Sequence, residues 1–306
     1  MLGPVIETLI GGLLTGVLYA LVALGFVLIF KASGVFNFAQ GAMVLFAALS
    51  LARLSEFMPL LLALALSIAI MIALAYAIEL LVLRHLINQE GIILFMATLG
   101  IAYFLEGFGQ ALWGSDIYKI DLGLPTNPIF LFETVFPGGI LVDPAELIAA
   151  IICAVLVLVL ALFFQFTRMG RALRAVADDH QAAQSVGIPL GQIWFMVWAV
   201  AGLVALVAGM MWGTKLGVQF SLSLVALKAL PVLILGGFTS IPGAIVGGLI
   251  IGAGEKLAEV VLAPVLIRTF DLAGGGIENW FAYVLALIFL LFRPQGLFGE
   301  RIIERV

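Results

Sequence analysis

Apolar residues run through this chain in stretches long enough to cross a bilayer, with almost no charge inside them. Only 10% of the 306 residues are charged, 64% are hydrophobic, and the mean hydropathy is +1.26. A soluble domain carries about 25% charged and about 45–50% apolar residues. This chain therefore has too little polarity to cover a water-facing surface, and lipid must be the solvent for most of it. In lipid, every backbone N–H and C=O has to be satisfied within the protein, which leaves helices or closed barrels. The apolar runs are continuous rather than alternating, and that selects helices. The expected fold is all-α: a polytopic helical membrane protein forming one transmembrane domain over 1–306.

A spanning helix takes about 20 mostly apolar residues. Candidate spans lie at 5–30, 36–52, 59–83, 92–112, 146–166, 193–213 and 279–292. The run 225–262 is too long for one helix at about 1.5 Å per residue and short for two full ones. Gly236, Gly237, Pro242 and Gly243 interrupt it, so a short or broken helix followed by a longer one is expected, for eight to nine crossings in all. The N-terminus lacks a basic region, carries Glu7, and shows no small-residue cleavage site, so it reads as a retained first span rather than a signal peptide.

Lysine and arginine set orientation. Loop 167–192 holds Arg168, Arg171 and Arg174, and the tail holds Arg293, Arg301 and Arg305. Loop 113–146 carries Asp116, Asp121, Glu133, Asp143 and Glu146 against Lys119 alone. Loop 167–192 and the C-terminus are thus expected to face the cytoplasm, with Lys31 and Arg84 on the same side and 113–146 outside.

Several function classes are excluded by what the chain lacks. A net charge of −4 leaves no basic surface for nucleic acid. Cys153 is the single cysteine, and His85 and His180 are far apart, so neither a disulfide nor a metal site is expected. An intramembrane enzyme needs convergent catalytic groups, and the scattered carboxylates do not supply them; no catalytic residue is assigned.

Two turns share the pattern F-x4-G-A-[MI]-V: Phe36 to Val44 and Phe238 to Val246. Such weak repeats are common in transporters, and broken helices at them expose N–H groups suited to a carboxylate. Small residues at these places equally allow tight turns and close helix packing. Gly12, Gly16 and Gly11, Thr15 in the first span, and Gly243, Gly247, Gly248 and Gly252 after the break, have the spacing of helix-packing contacts. Ionisable residues inside spans are functional candidates by default. Among Glu79, Glu106, Lys228, Glu255, Lys256 and Glu259, the residues Lys228 and Glu255 flank the glycine break and form a candidate intramembrane ion pair, whereas Glu79 and Lys256 can snorkel to an interface.

The loop from Arg168 to Pro189 is the most informative segment. Leu173, Val176, Ala183 and Val186 fall at helical spacing, with Arg171, Arg174, Asp178 and Asp179 on polar faces. Gly187 can close the helix and Pro189 stops it. A short amphipathic helix is expected, either docking into a partner's groove or lying along the bilayer.

With its core at Ala182-Ala183-Gln-Ser-Val-Gly187, the loop resembles the coupling loop of ATP-binding-cassette importer permeases. Gly16 to Gly25, Gly34-Val-Phe-Asn37-Phe-Ala-Gln40-Gly41, Ala97-Thr98-Leu-Gly100, Gly170-Arg-Ala-Leu-Arg174-Ala and Leu235 to Ala244 resemble the branched-chain amino-acid permease family, in the right order over nearly the whole chain. Length places it with the shorter of that family's two permease types. The resemblance implies an inner-membrane importer subunit working by alternating access, with a second homologous permease, two cytosolic ATP-binding subunits and an external substrate-binding protein as partners. Arg171, Arg174, Asp178, Asp179, Ala182, Ala183 and Gly187 become candidate ATPase-coupling residues. The two turns offer Asn37, Gln40, Gly41, Gly236, Gly237, Ser240 and Gly243 as substrate-pathway candidates, and the resemblance adds Thr98. Gln181 departs from the acidic residue that related importers often have there. No phosphate-cradling G-x-x-x-x-G-K-[ST] motif is present, so no cofactor is expected on this chain and ATP is expected to be used by partners. The alternatives are a permease for urea, short amides or sugars on the same scaffold, or an ion-coupled carrier.

Overall fold

The computed structural model describes residues 2–87, 89–125, 127–131, 139–270 and 276–299. Eleven α-helices are present among them: α1 (Leu2–Ser33), α2 (Gln40–Phe57), α3 (Leu60–Leu81), α4 (Gly91–Trp113), α5 (Pro144–Phe166), α6 (Arg168–Asp178), α7 (His180–Ser185), α8 (Leu190–Leu216), α9 (Val225–Gly236), α10 (Ile241–Phe270) and α11 (Ile277–Phe292). A small hairpin, β1 (Ile129–Leu131) with β2 (Ile140–Val142), pairs Ile129 with Val142 in the loop before α5. Glu133, Arg301 and Arg305 lie outside the described residues.

The chain is an all-α polytopic membrane protein. Among the described residues, five stretches, Gly3–Ser33, Leu60–Leu86, Gly91–Trp113, Pro144–Phe166 and Leu190–Leu216, are long and apolar enough to cross a bilayer singly. The expected break in 225–262 is present: Phe220–Gly236 and Ile241–Thr269 meet at 114°. α11 is only 16 residues long, and α2 is diluted by the Arg53–Glu56 ion pair near its end.

Two compact units are built from alternating segments, one from 1–23, 123–154 and 228–306, the other from 24–122 and 155–227. In the second unit, α2 is the centre. Every residue from Gln40 to Ala52 is buried, and α3, α4 and α8 pack around it. In the first unit, α1 and α10 meet backbone to backbone. A Cβ at Gly12 would stand 2.7 Å from the Gly252 carbonyl oxygen, and one at Gly248 would stand 2.6 Å from that of Gly16. The small-residue pattern thus packs helices of this same chain. Gly247 abuts the Val232 carbonyl on α9, while Gly11 meets nothing within 4 Å.

Candidate functional site

The first turn sits in the second unit. Gly34 leaves α1 with φ +69, a left-handed conformation that costs glycine little. The Asn37 Oδ1 accepts the Ala39 N–H at 3.0 Å, turning the chain into α2 without a side-chain cap. Asn37 and Gln40 are fully buried, and the Gln40 amide lies against Gly25 and reaches the Ala201 carbonyl on α8 at 3.5 Å. Thr98 on α4 accepts the Phe38 N–H at 3.3 Å. Gly41 abuts the Ser223 carbonyl and would place a Cβ 2.9 Å from that of Ala226. The structure therefore gathers Asn37, Gln40, Gly41 and Thr98 into one buried polar knot, bordered by the ring contacts Phe26–Phe36, Phe36–Phe38 and Phe38–Phe95.

The second turn sits in the first unit. Gly236 ends α9 where any Cβ would collide with the Gly243 carbonyl, and Gly237 takes φ +103. Ser240 Oγ accepts the Gly243 N–H at 3.0 Å and so caps α10. Gly236, Gly237, Ser240 and Gly243 thus form one tight corner. Sequence reasoning missed its other half. The Leu297 and Phe298 N–H groups donate to the Leu235 and Gly236 carbonyls at 2.8 and 3.1 Å, and Gly296 and Gly299 press on Gly237. The only signal for this was two glycines following Pro294 in a short run after the last helix.

Glu255 is 3% exposed and accepts a hydrogen bond from the Tyr19 hydroxyl at 2.9 Å. The Lys228 ammonium lies 6.0 Å from the centre of the Tyr19 ring, a cation–π distance. Both members of the candidate ion pair are therefore gathered around Tyr19. Removing one donor to a buried charged acceptor costs about 1–3 kcal/mol. A Tyr19→Phe variant should accordingly unfold at lower temperature in detergent, with folded yield the first readout to fall; an unchanged melting curve would show the bond to be dispensable.

In the loop, the structure differs from the single helix expected. Asp179 takes an extended backbone (φ −158, ψ 113) and divides α6 from α7. Its Oδ1 accepts the Gln181 and Ala182 N–H groups at 2.8 and 2.9 Å. Asp179 is thus the N-cap of α7 rather than one more solvated carboxylate, because an aspartate satisfies a new helix start better than it continues an old one. Thr167 caps α6 in the same way, accepting the Gly170 N–H. Arg174 donates to the Phe164 and Gln165 carbonyls at 2.9 and 3.3 Å, and Arg171 to that of Phe166 at 3.3 Å. Both guanidinium groups turn back to the C-terminal carbonyls of α5, where cations are favoured. Leu173, Val176 and Ala183 are buried, whereas Val186 is 76% exposed. Gly187 closes α7 at φ +85 and Asp178 is exposed. The result is an elbow capped at both helix starts, with the apolar Val186 exposed at its tip.

No group of three or more His, Cys, Asp or Glu able to hold a metal ion occurs among the described residues.

Residues 8–293 match the family described as the permease component of branched-chain amino acid transport systems. The high-affinity branched-chain amino acid transport permease BraD of Pseudomonas aeruginosa is 29% identical over 98% of both chains. LivH of Escherichia coli, with the same description, is 28% identical over 98% of this chain and 97% of its own. A fructose import permease, FruF of Bifidobacterium longum, is 24% identical over 69% of this chain and 57% of its own.

Proposed function

Because this chain belongs to the family of permease components of branched-chain amino acid transport systems, it is the membrane subunit of an ATP-binding-cassette importer, and we propose that it forms the gate while separate cytosolic ATPases supply the force. In this reading it sits in the bacterial inner membrane with its C-terminus in the cytoplasm. It pairs with a second homologous permease, and each coupling segment 168–188 seats on an ATP-binding subunit. An external binding protein delivers the substrate. ATP is bound and hydrolysed by the partners, and the chain holds no cofactor.

The observation that carries this reading is the build of 168–188. Caps at Thr167 and Asp179 and the two guanidinium contacts to α5 stiffen it, yet Val186 is left in solvent. A rigid element with an exposed apolar tip suits insertion into a partner's groove and transmission of its movement. The buried knot around Asn37 and Gln40 and the corner at Gly236 to Gly243 are the parts that rearrange as the passage alternates. Branched-chain amino acids are the substrate class favoured by relatives matching nearly the whole chain, and a sugar is the second reading, favoured by the shorter match to the fructose permease.

Reconstitution tests both. Proteoliposomes holding this chain, its partner permease, the ATPases and the binding protein should accumulate leucine only with ATP on the ATPase side. Accumulation driven by an ion gradient through this chain alone would replace the importer with a carrier. Uptake of fructose but not leucine would change the substrate.

A further inference from the structure

Among the described residues of the second unit, Glu79 is the one buried carboxylate, at 2% exposure, close to the end of α3. Arg84, in the 3-10 turn Leu83–Leu86, holds it with both arms: Nε donates to Oε1 at 3.3 Å and Nη2 to Oε2 at 3.1 Å. The guanidinium is half in solvent while the carboxylate is enclosed. A buried carboxylate needs more than a half-solvated partner to stay charged at little cost. The additional support comes from α8. A Cβ on Gly191 would stand 2.7 Å from Glu79 Oε1, so the carboxylate rests against the backbone of the first turn of α8. That turn has no side-chain cap, since Pro189 precedes it, and its positive end favours an anion.

The position of this contact matters more than its strength. α8 begins two residues after Ile188, where the coupling segment ends, and α3 and α8 pack side by side. At the other end of the segment, Arg171 and Arg174 fasten α6 to α5. We propose that Glu79 is a positioning residue of the transport cycle: its buried carboxylate, clamped by Arg84 and seated on the backbone at Gly191, fastens the first turn of α8 to the end of α3, so that force entering through 168–188 moves both helices together. This rests on the coupling role of 168–188. Gly191 is required because a side chain there would push the carboxylate out of the clamp.

The test uses the whole importer, assembled with its partner subunits, and three readouts: ATPase subunits retained on purification, ATP hydrolysed, and leucine taken up per ATP. Glu79→Gln, which keeps shape and removes charge, should leave assembly and hydrolysis within about twofold and lower uptake per ATP about tenfold, the effect of one lost charged hydrogen-bond pair. Gly191→Ala should do the same by displacing the carboxylate, without removing any charge. The double variant Glu79→Asp with Gly191→Ala withdraws the carboxylate by one methylene and makes room for the methyl, so it should transport better than Gly191→Ala alone. Unchanged uptake per ATP in Glu79→Gln, a parallel loss of assembly and uptake, or a double variant no better than the single would each overturn the proposal. Asp179→Arg is run alongside: if that variant keeps its ATPases and transports normally, the coupling role itself falls, whatever Glu79 does.

Discussion

A Gly243→Val variant should insert into the membrane and yet lose at least about nine-tenths of its transport, since overpacking costs about 1–3 kcal/mol and more where the obstructing atom belongs to the backbone. A Cβ at this position collides with the Gly236 carbonyl and stands 3.0 Å from the Ser240 Cβ. Neither obstruction can rotate away, because Gly236 is itself pinned by the Phe298 N–H and Ser240 is engaged in capping α10. The turn must open for a valine to fit, and opening it also disturbs the seat of residues 295–299. A useful contrast is Gly100→Ala on α4, where a Cβ meets nothing within 4 Å. That change should be neutral or slightly stabilising, by about 0.5–1 kcal/mol from the reduced backbone freedom of alanine. Uptake per inserted protein decides the matter. Wild-type transport by Gly243→Val would reduce the corner to an ordinary connection.

Asp179→Arg should release the ATPase subunits while leaving the chain in the membrane. α7 has only six residues, and its first turn is held by the two bonds that Asp179 accepts. Loss of a cap costs about 1 kcal/mol, and a cation at a helix N-terminus adds about 0.3–1 kcal/mol. A helix this short has no propagation energy in reserve, so it should unwind and carry Val186 away from its working position. Asp179→Asn separates two explanations. Asparagine caps as well as aspartate, so near-normal coupling is expected if the residue works as a cap. A dead Asp179→Asn would instead point to a charge contact with the ATPase.

Much of the architecture was legible because lipid imposes few solutions. Apolar length located the spans, and Gly236, Gly237, Pro242 and Gly243 located the break, since both residue types interrupt a helix for local reasons. The roles inside the coupling segment were less legible. Periodicity placed Arg171 and Arg174 on a polar face, but a polar face looks the same whether it meets water, a partner or the open end of a neighbouring helix. Only the fold shows that the end of α5 lies there. Val186 shares its helical spacing with Leu173, Val176 and Ala183, and the pattern assigned it to the buried side. Ala183 on α7 keeps to that side, but α7 ends at Ser185, and Val186, its C-cap, stands in solvent. Glu79 was hidden differently. Near the end of a span a carboxylate can snorkel to water, and nothing in the local sequence signals that Gly191, more than a hundred positions later, comes to lie against it. The knot of Asn37, Gln40, Gly41 and Thr98 was found as separate motifs, and its assembly depends on α4 and α8 packing on α2.

The side of the membrane on which 168–188 lies tests the account most directly. Cys153 is the only cysteine and is fully buried, so a single new thiol at exposed Gln184 can be labelled without background. With Gln184→Cys, a membrane-impermeant maleimide should leave intact cells unlabelled and react in inverted vesicles, with protection when the ATPase subunits are bound. Labelling of intact cells would place the segment outside, beyond reach of any cytosolic ATPase, and the account would be wrong at its root.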